Sequence, residues 1–148
     1  MIFQELLIQV RGKDWIPPKT LIAIDPGETC GYAVFLEGGF FLANQRIDII
    51  YIMINWFPNV VVYEDYKIYP GKLHSHSFSD IPTLKVIGAI EYICQRNQIK
   101  VIKIMASTAK GFVSNIKLKE WNFYEKGKVH AMDALRVGLH TLLFSKEI

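Results

Sequence analysis

The chain predicts an α/β domain whose elements run βββαβαβα, and three observations carry that reading. Five short apolar, β-branched runs, among them TLIAID and VVVYED, are bounded by Pro, Gly, Asn or Asp. The first three runs follow one another with only turn residues between them, which suits antiparallel neighbours. The remaining two alternate with segments whose apolar residues recur at helical spacing.

Residues 1–18 precede the first strand as an N-terminal extension to which no structure is assigned, and Pro17 and Pro18 stop any element before that strand. Residues 19–148 form one domain. TLIAID ends on Asp25 and is cut off by Pro26 and Gly27. Residues 31–37 and 40–46 are the next two strands, joined by Gly38 and Gly39 in a tight hairpin. Residues 47–57 suit a helix, with Asp48 in its first turn and Pro58 and Asn59 just past its end. VVVYED, residues 60–65, is a buried strand that again delivers acidic side chains at its carboxyl end. Residues 66–80 read as an exposed loop from their Pro70, Gly71, Ser and His content. From Pro82 onward Leu84, Ile87, Ile90 and Cys94 share a helix face, and Gly88 within it suggests a close backbone approach. Residues 101–106 make the fifth strand, with Ser107 or Thr108 as the cap of the next helix. Residues 129–144 close the chain as a helix carrying Leu135, Leu139 and Leu142 or Leu143 on one side.

At 148 residues and 17.0 kDa the chain can bury one core but has no room for two domains with a cleft between them. Hydrophobic residues at 51% against 21% charged exclude a disordered chain. The net charge of +3 hides an uneven distribution, since residues 95–128 hold eight Lys and Arg against two Glu. Such a segment suits phosphate contacts, or a solvated helix face. Cys30 and Cys94 are too few for a disulfide framework and point to a reducing compartment. No signal peptide is legible, and the longest apolar run, residues 49–54, is far short of the ~20 needed to cross a bilayer. The expectation is a cytoplasmic protein with no membrane partner.

Asp25 and Glu64 fall at the ends of strands one and four, while His130 and Asp133 lie three apart on one face of the last helix. If strands one and four are neighbours, these four ionisable groups converge. Taken singly, Asp25 and Glu64 read equally well as turn caps, and His130 with Asp133 as a satisfied surface pair. Taken together, clustered carboxylates repel unless a cation neutralises them. Oxygen ligands with one imidazole suit magnesium or manganese, and a pair of such ions about 4 Å apart supports phosphodiester cleavage.

IDPGETCGYAVF, VVVYED and VHAMDALRVGLHTLL, in this order, resemble the first hairpin, the glutamate-bearing strand and the final helix of the RuvC-type Holliday junction resolvases. The likeness is greatest to the small RuvC-like resolvases of bacteriophages and prophages, and runs from about Thr20 to Phe144. It implies an RNase H-like fold, a mixed five-stranded sheet with helices on both faces. It further implies a metal-dependent, structure-selective endonuclease that nicks branched DNA, with four-way junctions as substrate. Asp25, Glu64, His130 and Asp133 would then bind two Mg2+ ions, or Mn2+ in their place, and the nucleophile would be an activated water. Asp65 should point to the opposite side of the strand from Glu64. The resemblance also implies a homodimer, for which the helix from Pro82 to Arg96 is the candidate interface.

For the nucleic acid, the loop after the glutamate strand offers Lys67, Tyr69, Lys72, His74 and Phe78, cations mixed with rings that can stack on unpaired bases. Lys110, Lys117 and Lys119 of the basic segment are candidate phosphate contacts. His74 and His76 lack the further Cys or His of a tetrahedral zinc site, so no zinc is expected. The alternatives are an RNase H-like nuclease acting on flaps or RNA, or a catalytically silent nucleic-acid-binding module. An actin-like ATPase shares the IDPG turn but needs a second domain.

Overall fold

The computed structural model describes residues 3–37, 40–46, 53, 55–66 and 80–148. Its strands are β1 (Thr20–Asp25), β2 (Cys30–Leu36), β3 (Phe40–Arg46), β4 (Val60–Asp65) and β5 (Lys100–Met105). Its helices are α1 (Phe3–Arg11), α2 (Asp80–Arg96), α3 (Ala106–Phe112), α4 (Asn115–Glu120) and α5 (Val129–Phe144). The five strands form one mixed sheet in the order β3-β2-β1-β4-β5. The expected antiparallel meander is present, β1 pairing β2 and β2 pairing β3, while β4 runs parallel to β1 and β5 parallel to β4.

Side-chain alternation sorts the sheet into two buried faces. Leu21, Ala23, Ala33, Phe35, Val60, Val62 and Ile102 share one cluster with the apolar face of α5 and with Phe3, Leu6 and Leu7 of α1. Ile22, Ile24, Val34, Val61 and Tyr63 point the other way, onto Ile90 and Cys94 of α2. Helices therefore cover both faces, and α5 lies across β1 and β2. Burial of β1 and β4 on both sides explains why these strands read as continuous apolar runs. Cys30 and Cys94 are buried free thiols.

The segment before β1 contributes directly to this core. Arg11 donates from Nε to the Leu142 carbonyl at 2.7 Å, and from Nη2 to Thr141 at 3.1 Å and Ser145 at 2.6 Å. One guanidinium thus bonds three carbonyls at the end of α5 and sits favourably at that helix's negative pole.

Several local expectations need correction. Ser107 and Thr108 do not cap α3, because β5 runs straight into it and both residues have helical backbone. The N-cap place falls to Met105, with no side-chain bond. The side-chain cap occurs one helix later, where Ser114 Oγ accepts from the Lys117 amide at 3.3 Å. Gly88 has open space where a side chain would start, so among the described residues nothing approaches it closely. The Gly38–Gly39 hairpin turn and residues 67–79 lie outside the described residues. Of the helix expected over residues 47–57, Met53, Asn55 and Trp56 are described as helical and Met53 is buried. Among the described residues no helix is long and apolar enough to cross a membrane.

Candidate active site

Strand alternation places Asp25 on the same face as Leu21 and Ala23, and Glu64 on the same face as Val60 and Val62. The β1–β4 register pairs Ala23 with Val62 and Ile24 with Tyr63, and one further step sets Asp25 beside Glu64. Both carboxylates therefore leave the sheet towards α5. Asp65 belongs to the alternate set with Val61 and Tyr63, away from the site.

The first turn of α5 completes the arrangement because Gly31 lets it approach. Gly31 pairs with Asp25 across β1 and β2. A Cβ there would stand 1.8 Å from the His130 carbonyl oxygen and 2.8 Å from the Ala131 amide nitrogen. Only a glycine leaves room for the helix backbone at this crossing. His130 is thereby set against Asp25, its Nδ1 lying 2.9 Å from Asp25 Oδ2. Asp133, one turn on, accepts from Arg136 Nη1 at 2.6 Å, with Lys110 Nζ at 3.9 Å from the same oxygen.

Glu64 feels the charges of both other carboxylates, and Asp25 feels that of Asp133. Glu64 is pushed up to about 7, chiefly by burial and then by the negative charges of Asp25 and Asp133, against the opposing pull of Lys110 and Arg136. Asp25 is also raised, again by burial first, with the His130 hydrogen bond working against the rise and Asp133 adding to it. Carboxylates held in mutual repulsion on a half-buried surface form a donor set that suits hard divalent cations. Among the described residues no three of the His, Cys, Asp and Glu side chains are disposed, as they stand, to hold one ion. Three of the four predicted residues are engaged otherwise, Asp25 and His130 with each other and Asp133 with Arg136.

Arg136 is the site residue that sequence reasoning passed over. It is 4% exposed, and its Nε donates to the Val113 carbonyl at 2.6 Å, while Nη2 donates to Asn115 Oδ1. The available signal was a lone cation in an apolar helix, three residues after Asp133, where burial obliges it to find partners. Beside it opens a cleft of about 540 Å³ whose lining includes Lys110, Asn115, Tyr124, Lys128 and Asp133.

The predicted nucleic-acid contacts divide unequally. Lys110 stands at the edge of the carboxylate site, with its side chain 56% exposed. Lys117 donates to the Phe112 carbonyl at 2.8 Å, and Lys119 lies over the Tyr124 ring at 4.9 Å, so both already have partners within the chain. Lys67, Tyr69, Lys72, His74 and Phe78, with His76, fall outside the described residues.

A mixed sheet with β1 and β4 central, and carboxylates gathered from both strands and from the helix crossing them, defines an RNase H-like α/β fold. Among solved structures the chain is similar to RuvC of Thermus thermophilus. In complex with Holliday junction substrate, that protein matches at 15% identity with a TM-score of 0.58, over 83% of this chain and 92% of its own. A second structure of the same protein gives 15%, 0.56, 83% and 93%. The yeast mitochondrial Holliday junction resolvase Ydc2 gives 12% identity and a TM-score of 0.56, over 93% of this chain and 83% of its own. No protein-family model and no curated protein matches the chain. The chain has the RuvC-type fold.

Proposed function

We propose that this chain is a metal-dependent, structure-selective endonuclease that nicks branched DNA and resolves four-way junctions. The observation that carries the reading is the convergence of Asp25, Glu64 and Asp133 from β1, β4 and α5, at one end of a sheet shared with RuvC and Ydc2. Asp25, Glu64, Asp133 and His130 would hold two Mg2+ ions, or Mn2+ in their place. When bound, such ions neutralise the carboxylates, lower the pKa of a water and stabilise the leaving oxygen of a phosphodiester.

The chain's own groups prepare that chemistry. Asp25 fixes one His130 ring nitrogen and so orients the imidazole, which is half exposed and able to reach a substrate oxygen or a ligand position. Lys110 supplies an exposed cation for a phosphate next to the carboxylates. The cleft beside Asp133 would give a DNA strand a route bordered by Lys110 and by Lys128, whose amine pairs with Glu125 at 2.8 Å. A four-way junction presents two equivalent strands, which suits a two-fold homodimer. Solvent-facing Leu84, Gly88 and Tyr92 keep α2 as the candidate interface. Action in phage replication, recombination or packaging, in a bacterial host cytoplasm, is the biological setting that the sequence resemblance suggests.

The test is cleavage of matched labelled four-way, flap, linear duplex and RNA/DNA hybrid substrates with Mg2+ or Mn2+. Paired nicks confined to the four-way junction are expected. Asp25→Asn and Asp133→Asn should abolish nicking while leaving junction binding intact. Cleavage of hybrids or flaps alone would move the chain to another RNase H-like activity, and no cleavage of any substrate would make it a binding module.

A further inference from the structure

We propose that Arg136 is a positioning residue for Asp133, fixing that carboxylate so that one of its oxygens is presented for a divalent cation; this rests on the metal-dependent reading above. Arg136 Nη1 and Lys110 Nζ both approach Oδ1 of Asp133, at 2.6 and 3.9 Å. Among the described residues Oδ2 keeps its acceptor capacity for another partner. The guanidinium is itself immobilised, by the Val113 carbonyl before α4 and by Asn115 at the start of α4. Its planar fork therefore joins three elements, the ends of α3 and α4 and the face of α5, at a buried point. An isolated i,i+3 ion pair on a helix surface has no such anchoring and contributes little.

The sign of the effect separates this role from a plain charge effect. A buried cation that merely competed with a metal would weaken metal binding, and its loss would tighten it. A partner that orients a ligating carboxylate acts oppositely, and losing such a partner commonly weakens metal affinity by about 10- to 100-fold. Lysine cannot reproduce the arrangement, because it keeps the charge but lacks the fork that bonds Val113, Asn115 and Asp133 together.

The experiment is Mn2+ titration of the full chain without DNA, followed by electron paramagnetic resonance, on wild type, Arg136→Lys, Asn115→Ala, Asn115→Asp and Asp133→Asn, with thermal midpoints measured in parallel. Arg136→Lys should bind Mn2+ about 10- to 100-fold more weakly while folded. Asn115→Ala, which alters only an exposed anchor of the guanidinium, should shift affinity in the same direction by less. Asn115→Asp retains an acceptor and should bind as wild type does. A purely structural role would lower the midpoint and leave the affinity of the folded protein unchanged. Wild-type or tighter binding by folded Arg136→Lys overturns the positioning role and leaves the metal site standing. Absence of Mn2+ binding by the wild type overturns the metal site and the positioning role together.

Discussion

Replacing Glu64 by Gln removes a charge from a crowded carboxylate site, and in metal-free protein it should stabilise the fold. The wild-type carboxyl rises from 4.5 to about 7 on folding, so the folded chain holds a proton that the unfolded chain releases. The raised value means that stability is fully present below pH 4.5 and is lost as the pH climbs through about 7. At ~1.4 kcal/mol per pH unit the full loss is ~3 kcal/mol, and solvent screening of a half-buried group reduces it to about 1 kcal/mol. In a domain of this size that corresponds to about 2–4 °C in thermal midpoint. Scanning calorimetry in EDTA should therefore show Glu64→Gln melting about 2–4 °C above wild type near pH 8, with the gap closing towards pH 4.5. Saturating Mg2+ near pH 8 should raise the wild-type midpoint more than that of the variant. Equal midpoints near pH 8, or a gap that does not change with pH, would refute burial of Glu64, with repulsion from Asp25 and Asp133 beside it, as the cause of the raised value.

Four further substitutions probe the frame around the site. Gly31→Ala drives a methyl into the His130 carbonyl, 1.8 Å from the ideal Cβ position, so α5 must move off β2; nicking should fall by at least about 100-fold while far-UV circular dichroism is retained, and wild-type activity would exclude the close approach. Lys110→Ala should flatten the dependence of log Kd for four-way junctions on log salt by about one unit. Lys117→Ala, whose amine is held by Phe112, should leave that slope unchanged, and equal slopes for Lys110→Ala and wild type would remove Lys110 from the phosphate contacts. Arg11→Met should lower the midpoint by several degrees through the lost bonds to Leu142, Thr141 and Ser145. Junction affinity at a temperature where that variant is folded should match wild type, and an unchanged midpoint would deny Arg11 its part in holding the end of α5.

What the sequence revealed and concealed follows from the range over which each interaction acts. Strand alternation and helix spacing are local, so Asp25, Glu64, His130 and Asp133 could be located by counting, and the parallel β1–β4 pairing then brings the first two together. The arrangement of those groups is not local. Gly31 reads as an unremarkable strand residue until α5 is laid across β2, and only then does its missing side chain explain how His130 reaches Asp25. Gly88 shows the converse, since a glycine in a helix invites a close approach that is not found among the described residues. The chain before β1 carried no signal beyond the Pro17–Pro18 stop, yet Phe3, Leu6 and Leu7 are buried, and Arg11 bonds to carbonyls more than 130 positions away in the chain. Arg136 lies between these extremes: its partner Asp133 is three residues off and visible in the sequence, while Val113 and Asn115 become neighbours only through the packing of α3 and α4 against α5. A charge buried within an apolar helix is thus the sequence feature with most to tell, because it cannot be left alone, and the partners it finds are where Asp133 is held.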